Sequence, residues 1–238
     1  MDYRTNFIDL IAETVGLIPL EMTIKSQTAG VGNDKVLSVC DVKWAQAGYK
    51  VTIGGKVYKI TDVDFAESKI TVNGADPISA TTFDLYPIKF FHGTPRETVT
   101  EVDKKGSVHA NDATPMIWLN ETFEYDAQDE FSAIDGEVTP DIFALGQCPK
   151  DKFSKDLKDL YLNPMARLME WFIYTAKQQT QWFSMNEYET RLINYSKFGV
   201  YVNNRGVDSN IFSMPLSGVS NKGKILVEKQ FSCNHRCS

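Results

Sequence analysis

Hydrophobic and polar positions change period several times along the chain, and each change marks an element. Phe7, Leu10, Ile11 and Thr14 recur three and four residues apart, the spacing of one helical face, so a short amphipathic helix is predicted over Phe7 to Val15. Gly16 ends it and Pro19 blocks any continuation. So short a helix is marginal in water and must dock, either on its own core or on a neighbour. Lys25 to Lys35 is polar and contains glycine, which reads as a loop or flexible arm. Residues 1–35 are therefore read as an N-terminal helix and arm.

From Val36 the period becomes two. Tyr49 to Ile53 and Lys56 to Ile60 alternate on either side of Gly54-Gly55, a strong hairpin signal, because glycine accepts the positive φ that tight turns require. Lys69 to Val72 is a third run, ending at the turn dipeptide Asn73-Gly74, and Val36 to Val39 is a further strand. Short strands this close together predict a small antiparallel barrel or sandwich, assigned to residues 36–91. Residues 92–113 are polar and weakly patterned, with Gly93, Pro95 and Gly106, and read as an extended loop or β-extension of the functional kind.

Met116 to Leu119 is an apolar run after Pro115 and predicts a buried strand; Phe131 to Ile134 and Asp141 to Leu145 are weaker candidates. Asn163-Pro164 has the chemistry of a helix start, with Asn as N-cap and Pro at the first position. Met165, Leu168, Met169, Phe172, Ile173 and Ala176 then follow at helical spacing, predicting a helix to about Trp182. Phe198 to Val202, a turn at Asn203-Asn204-Arg205-Gly206, and Lys224 to Glu228 return the chain to strand. The fold class is thus α+β: a small antiparallel barrel-like subdomain, plus a sheet backed by one long amphipathic helix within residues 114–230. Residues 231–238 form a C-terminal tail.

The chain has 238 residues, 42% of them hydrophobic, so a core needs neither disulfides nor metal. Its net charge of −6 and pI near 5.2 argue against tight nucleic-acid binding, which calls for a strong basic face. No apolar run approaches the length of a membrane helix and no leader pattern opens the chain, so a cytoplasmic site of synthesis is expected. Cys40, Cys148, Cys233 and Cys237 are scattered, and free thiols are expected.

The residues that chemistry would need are few. His92 ends a strand, and His109 lies in the polar stretch. Cys233, His235 and Cys237 offer three zinc-type ligands without the second pair a structural site needs. Glu121 to Asp141 carries eight carboxylates and no Lys or Arg, but lacks the spacing of a calcium loop. It reads as a solvated face, an electrostatic surface, or paired carboxylates for glycan hydrolysis through Glu121 or Glu124. Lys50, Lys56 and Lys59 interleave with Tyr49 and Tyr58, as in small barrels that bind single strands, though lysines also serve to solubilise strand edges. Trp171, Phe172, Tyr174, Trp182 and Phe183 read mostly as core; Trp171 and Tyr174 lie off the buried lane, where interface aromatics sit. These patterns assign no catalytic, cofactor-binding or metal-binding residue, and the expectation is a protein that binds other subunits and is not an enzyme.

Several of these segments together resemble virion proteins of tailed phages that infect Bacteroidetes, crAss-like phages included. The residues are Ile53 to Val63, Phe90 to Pro95, Thr114 to Leu119, the Asn163-Pro164-Met165 helix start, Gly199 to Gly206, Ile211-Phe212 and Leu216 to Val219. The resemblance implies a neck or tail ring protein similar to head-to-tail connectors and tail terminators. Its implied partners are copies of itself in a ring of six or twelve, the adjacent portal, neck or tail rings, and genomic DNA in passage. Its implied place is the virion, after assembly in the host cytoplasm. A DNA channel should not grip its cargo, so some of Glu121 to Asp141 is expected on the lumen wall. The alternative is a small-barrel module for single-stranded nucleic acid or peptide.

Overall fold

The computed structural model describes residues 3–74, 76–106, 113–127, 134–149, 158–179, 183–185, 191–202, 208–223 and 225–228. The fold is α+β, with a closed six-stranded antiparallel barrel, a second sheet and one long helix.

The chain opens with α1 (Tyr3–Leu17), which is longer than its apolar pattern suggests. Phe7, Leu10, Ile11 and Val15 are buried in the main core, so the helix docks on its own chain. Burial worth about 1.5–3 kcal/mol per large side chain offsets the weakness of an isolated short helix. Thr14 is buried too, its hydroxyl donating to the Leu10 carbonyl at 2.7 Å.

The barrel is built from β1 (Glu21–Ala29), β2 (Asp34–Val39), β3 (Lys50–Ile53), β4 (Lys56–Asp64), β5 (Lys69–Asn73) and β6 (Thr82–Asp84), in the order β1-β2-β5-β4-β3-β6. Met22, Leu37, Val51, Ile53, Ile60, Ile70, Val72 and Phe83 belong to the core it shares with the helices. Register breaks at Ile24/Ser26 and Ile60/Asp62 supply the curvature that closes so small a barrel. The expected arm at Lys25 to Lys35 is corrected: it forms the end of β1, a Gly30 turn and the start of β2. The barrel therefore begins near residue 21 rather than 36. Its polarity misled because the second half of β1 is exposed.

β7 (Lys89–Gly93), assigned from sequence to the barrel subdomain, belongs to the second sheet, where it runs parallel to β8 (Met116–Ala127). The expected loop at 92–113 is also corrected, because Pro95–Gly106 is a helix, α2. Its start is a reciprocal capping box: the Thr94 backbone N–H donates to Glu97 Oε2 at 3.0 Å, and the Thr94 hydroxyl donates to the same oxygen at 2.7 Å. The Glu97 N–H in turn points at Thr94 Oγ1 at 3.5 Å.

β9 (Ile134–Gln147) is the centre of the second sheet. One edge pairs with β8; the other pairs with β14 (Leu216–Lys222) along its later half and β15 (Ile225–Glu228) along its earlier half. β11 (Arg191–Phe198) flanks β14, and β10 (Phe183–Met185) flanks β15. All three ladders around β9 break at Pro140. On β8 the register jumps from Asn120↔Asp141 to Glu124↔Thr139, and β14 gives way to β15 between Lys222↔Asp141 and Ile225↔Val138. Proline has no N–H to give a ladder, so it falls where pairing is interrupted.

The sheet alternates. Ile117, Leu119, Ile142, Ala144 and Val219 face the core shared with α1, the barrel and the long helix. Met116, Trp118, Phe143, Leu145 and Leu216 join Phe91, Val102, Phe212 and Met214 in a second core with α2 residues. The long helix, α3 (Asn163–Gln178), buries Met165, Leu168, Met169, Phe172 and Ala176. A π-helical turn, Lys158–Leu162, precedes it, so Leu162 is already helical and no side-chain cap is used. α3 stops at Gln178, one turn short of the expected Trp182. A separate ribbon pairs β12 (Val200–Val202) with β13 (Asp208–Asn210). The predicted turn at Asn203 to Gly206 lies outside the described residues, as do Phe131 to Ala133 and the tail 231–238.

Candidate functional site

The barrel and α3 meet at a groove of about 240 Å³ lined by Asp41, Arg167, Glu170, Trp171 and Tyr174. Its aromatic wall is fixed from below. Trp171 Nε1 donates to Asp41 Oδ2 at 3.2 Å, across 130 residues of chain, while Asp41 Oδ1 accepts the Lys43 backbone N–H at 3.0 Å. Tyr174, 57% exposed, meets the Trp171 ring edge-on at 5.7 Å. Arg167 and Glu170 close the rim with an exposed ion pair at 2.9 Å, worth little to stability.

Lys43 is the least expected member. Its side chain is buried, its φ of 48° is left-handed, and Nζ donates to the carbonyls of Pro19 at 2.7 Å and Glu21 at 2.6 Å. Nζ also lies 5.1 Å from the Trp171 ring centroid. Desolvation by burial lowers its pKa, against the raising pull of Asp41, Glu21 and Asp84. Lys43 thus ties the α1–β1 connection to the groove floor and sets a cation against the tryptophan face. Sequence reading missed Asp41 and Lys43. The available signal was two charges inside the otherwise apolar run from Val39 to Ala45.

A second cavity, about 200 Å³, is lined by Gln46, Tyr49, Gln147, Cys148 and Tyr161, among others. Burial pushes the Cys148 thiol up, which disfavours the reactive thiolate. Cys148 and Cys40 are free thiols.

The sequence candidates do not converge. His92 is exposed at the end of β7, stacked beside Phe90 at 6.0 Å. His109, His235, Cys233, Cys237 and Trp182 lie outside the described residues. Within Glu121 to Asp141 the described backbone forms β8 and β9, and Asp141 pairs with Lys222 at 3.0 Å. Among the described residues no group of three or more His, Cys, Asp or Glu could hold a metal ion. The barrel tyrosines are not arranged for base stacking. Tyr49 and Tyr58 are buried, Tyr49 stacks on Tyr86 at 4.3 Å, and its hydroxyl shares a 2.6 Å hydrogen bond with Thr114. Lys56 is engaged with Asp76. Phe172 is core, as expected; Trp171 and Tyr174 form the groove.

No helix among the described residues is long and apolar enough to cross a membrane. Comparison with protein-family models, with curated proteins and with solved structures finds no match to this chain.

Proposed function

We propose that this chain is a structural subunit that works by binding other protein subunits, forming a ring in the neck or tail of a tailed phage around the DNA channel. The observation that carries subunit binding is the α3 groove. Trp, Tyr and Arg are the residue types enriched at interface hot spots, and here Trp171, Tyr174 and Arg167 share one surface. Trp171 is held in place by Asp41 and Lys43, so little order is lost when a partner binds. The placement in a phage rests on the sequence resemblance. The α+β plan, a sheet backed by one long helix, agrees with the connector-like architecture that resemblance implies.

Mass spectrometry of purified phage particles tests this reading. Peptides of this chain should be present at a constant copy number per particle, in the range of a single ring. Purified infectious particles that lack the chain overturn it.

A further inference from the structure

The groove between the barrel and α3 has a chemistry that narrows what can fill it. Its volume of 240 Å³ equals about eight waters at about 30 Å³ each, close to the non-hydrogen atoms of one long side chain and too little for a helix. Trp171 and Tyr174 meet there at an interplanar angle of 83°, so the wall is a corner of two rings rather than a flat apolar face.

Asp41 lines the same groove and is half-buried. Each of its oxygens accepts one hydrogen bond, Oδ1 from the Lys43 backbone N–H and Oδ2 from Trp171 Nε1. A carboxylate oxygen has two lone pairs, so both keep room for a second donor. Asp41 makes no ion pair among the described residues. The nearby Lys43 ammonium does not supply one, because Nζ is directed to the carbonyls of Pro19 and Glu21. Arg167 is no counter-ion either, since its guanidinium is engaged by Glu170.

The surroundings add negative charge. Desolvation outweighs every other influence on Lys43, yet three carboxylates lie within electrostatic reach of its ammonium: Asp41, Glu21 and Asp84. Glu21 of β1 stands directly opposite Asp84 of β6, and both are exposed. Opposed like charges destabilise a strand pair, so this edge of the barrel favours an incoming cation. Counting Glu170, four carboxylates stand against two cations, Lys43 and Arg167. Lys177, the next cation along α3, does not line the groove.

Resting on the subunit-binding reading above, we propose that the groove receives an arginine side chain of a partner subunit, its guanidinium held by Asp41 and stacked in the Trp171–Tyr174 corner. Charge complementarity selects a cation, and the aromatic corner with a two-oxygen acceptor selects arginine over lysine. Guanidinium is planar, weakly hydrated, stacks on rings and donates to a carboxylate through a fork, whereas ammonium is a compact, strongly hydrated point charge. Lys43 and Asp41 hold the indole in place before the partner arrives, which limits the ordering that binding requires.

The test titrates the full chain, at a dilution where sedimentation shows monomer, with four small probes. These are the N-acetyl methylamides of arginine, citrulline, lysine and glutamate; citrulline keeps arginine's shape without its charge. The readout is the indole N–H resonance of Trp171, assigned with Trp171→Phe. Arginine should bind with a dissociation constant on the order of millimolar, and citrulline and lysine each about tenfold or more weaker. Added salt should weaken arginine binding. Asp41→Asn should weaken it about tenfold; circular dichroism checks that this variant is folded, and Glu170→Gln, on the exposed rim, should weaken it less. Citrulline binding as well as arginine, glutamate binding better, or a Trp171 resonance that no probe moves overturns the proposal. Such a failure leaves subunit binding and the ring standing, because particle composition tests them independently. Arginine binding by a chain absent from particles would sink the ring and keep the groove's specificity.

Discussion

Gly218 sits in β14, paired on one side with Leu145 of β9 and on the other with Tyr195 of β11. A Cβ there would lie 2.0 Å from the Ala144 carbonyl oxygen, 2.8 Å from Leu145 Cδ2 and 3.0 Å from the Ala144 carbonyl carbon. An ordinary carbon–oxygen contact is about 3.3 Å, so Gly218→Ala must push the central strands β9 and β14 apart by more than about 1 Å. The obstacle is backbone, which no rotamer change removes. Overpacking costs about 1–3 kcal/mol, and weakening two ladder hydrogen bonds adds about 1 kcal/mol each, giving roughly 3–5 kcal/mol. Gly146 is the internal comparator. Its Cβ would meet Met165 Sδ at 2.9 Å and Gln46 Oε1 at 3.0 Å, both ends of flexible side chains, so Gly146→Ala should cost about 1–2 kcal/mol. Urea unfolding of the three proteins, fitted with a common slope, gives both values. A Gly218→Ala cost below about 1 kcal/mol, or no larger than that of Gly146→Ala, refutes the packing described for β9 and β14.

Gly16→Ala should act the other way: nothing lies within 4 Å of its Cβ, so relieving glycine's entropy near the end of α1 should stabilise by about 0.5 kcal/mol in thermal unfolding. Thr94→Ala should cost about 1 kcal/mol in the same assay by removing the cap of α2. The Glu97 carboxyl of the same box is held below its ordinary pKa, first by the Thr94 hydroxyl; its contribution is present above the ordinary carboxylate value and fades as pH falls through the lowered one. Burial pushes Tyr49 up to about 12, so its neutral form is favoured in the fold. Its contribution, about 3 kcal/mol at most, is intact below pH ~10 and lost as pH rises towards ~12, which tyrosinate absorbance during alkaline unfolding should follow. Tyr174→Ala should leave the melting temperature nearly unchanged yet weaken subunit association by about 2 kcal/mol; loss of stability with association intact would contradict the interface role.

The fold class was legible in the sequence because its strongest signals are local. Gly54-Gly55 and Asn73-Gly74 mark turns that flank or end alternating strands, and the Met165 to Ala176 spacing marks α3. The errors have physical causes. Half of β1 is exposed, so it carries no apolar alternation and resembled an arm. The start of α2 was readable in Thr94-Pro95-Arg96-Glu97, a capping box with proline at the first position, but its polar helix hides the period. That β7 leaves the barrel for a parallel place beside β8 is a long-range choice that no local pattern records. The groove was half legible. Trp171 and Tyr174 lie off the buried lane of α3, whereas their supports, Asp41 and Lys43, come from a left-handed turn 130 residues away from Trp171.

Electron cryo-microscopy of the intact particle is the decisive measurement for subunit binding in a phage neck or tail. A closed ring of this chain should be found there, with the α3 groove against a neighbouring subunit. A particle whose neck and tail density is fully assigned to other chains, or in which this chain is present but isolated from other subunits, would contradict it.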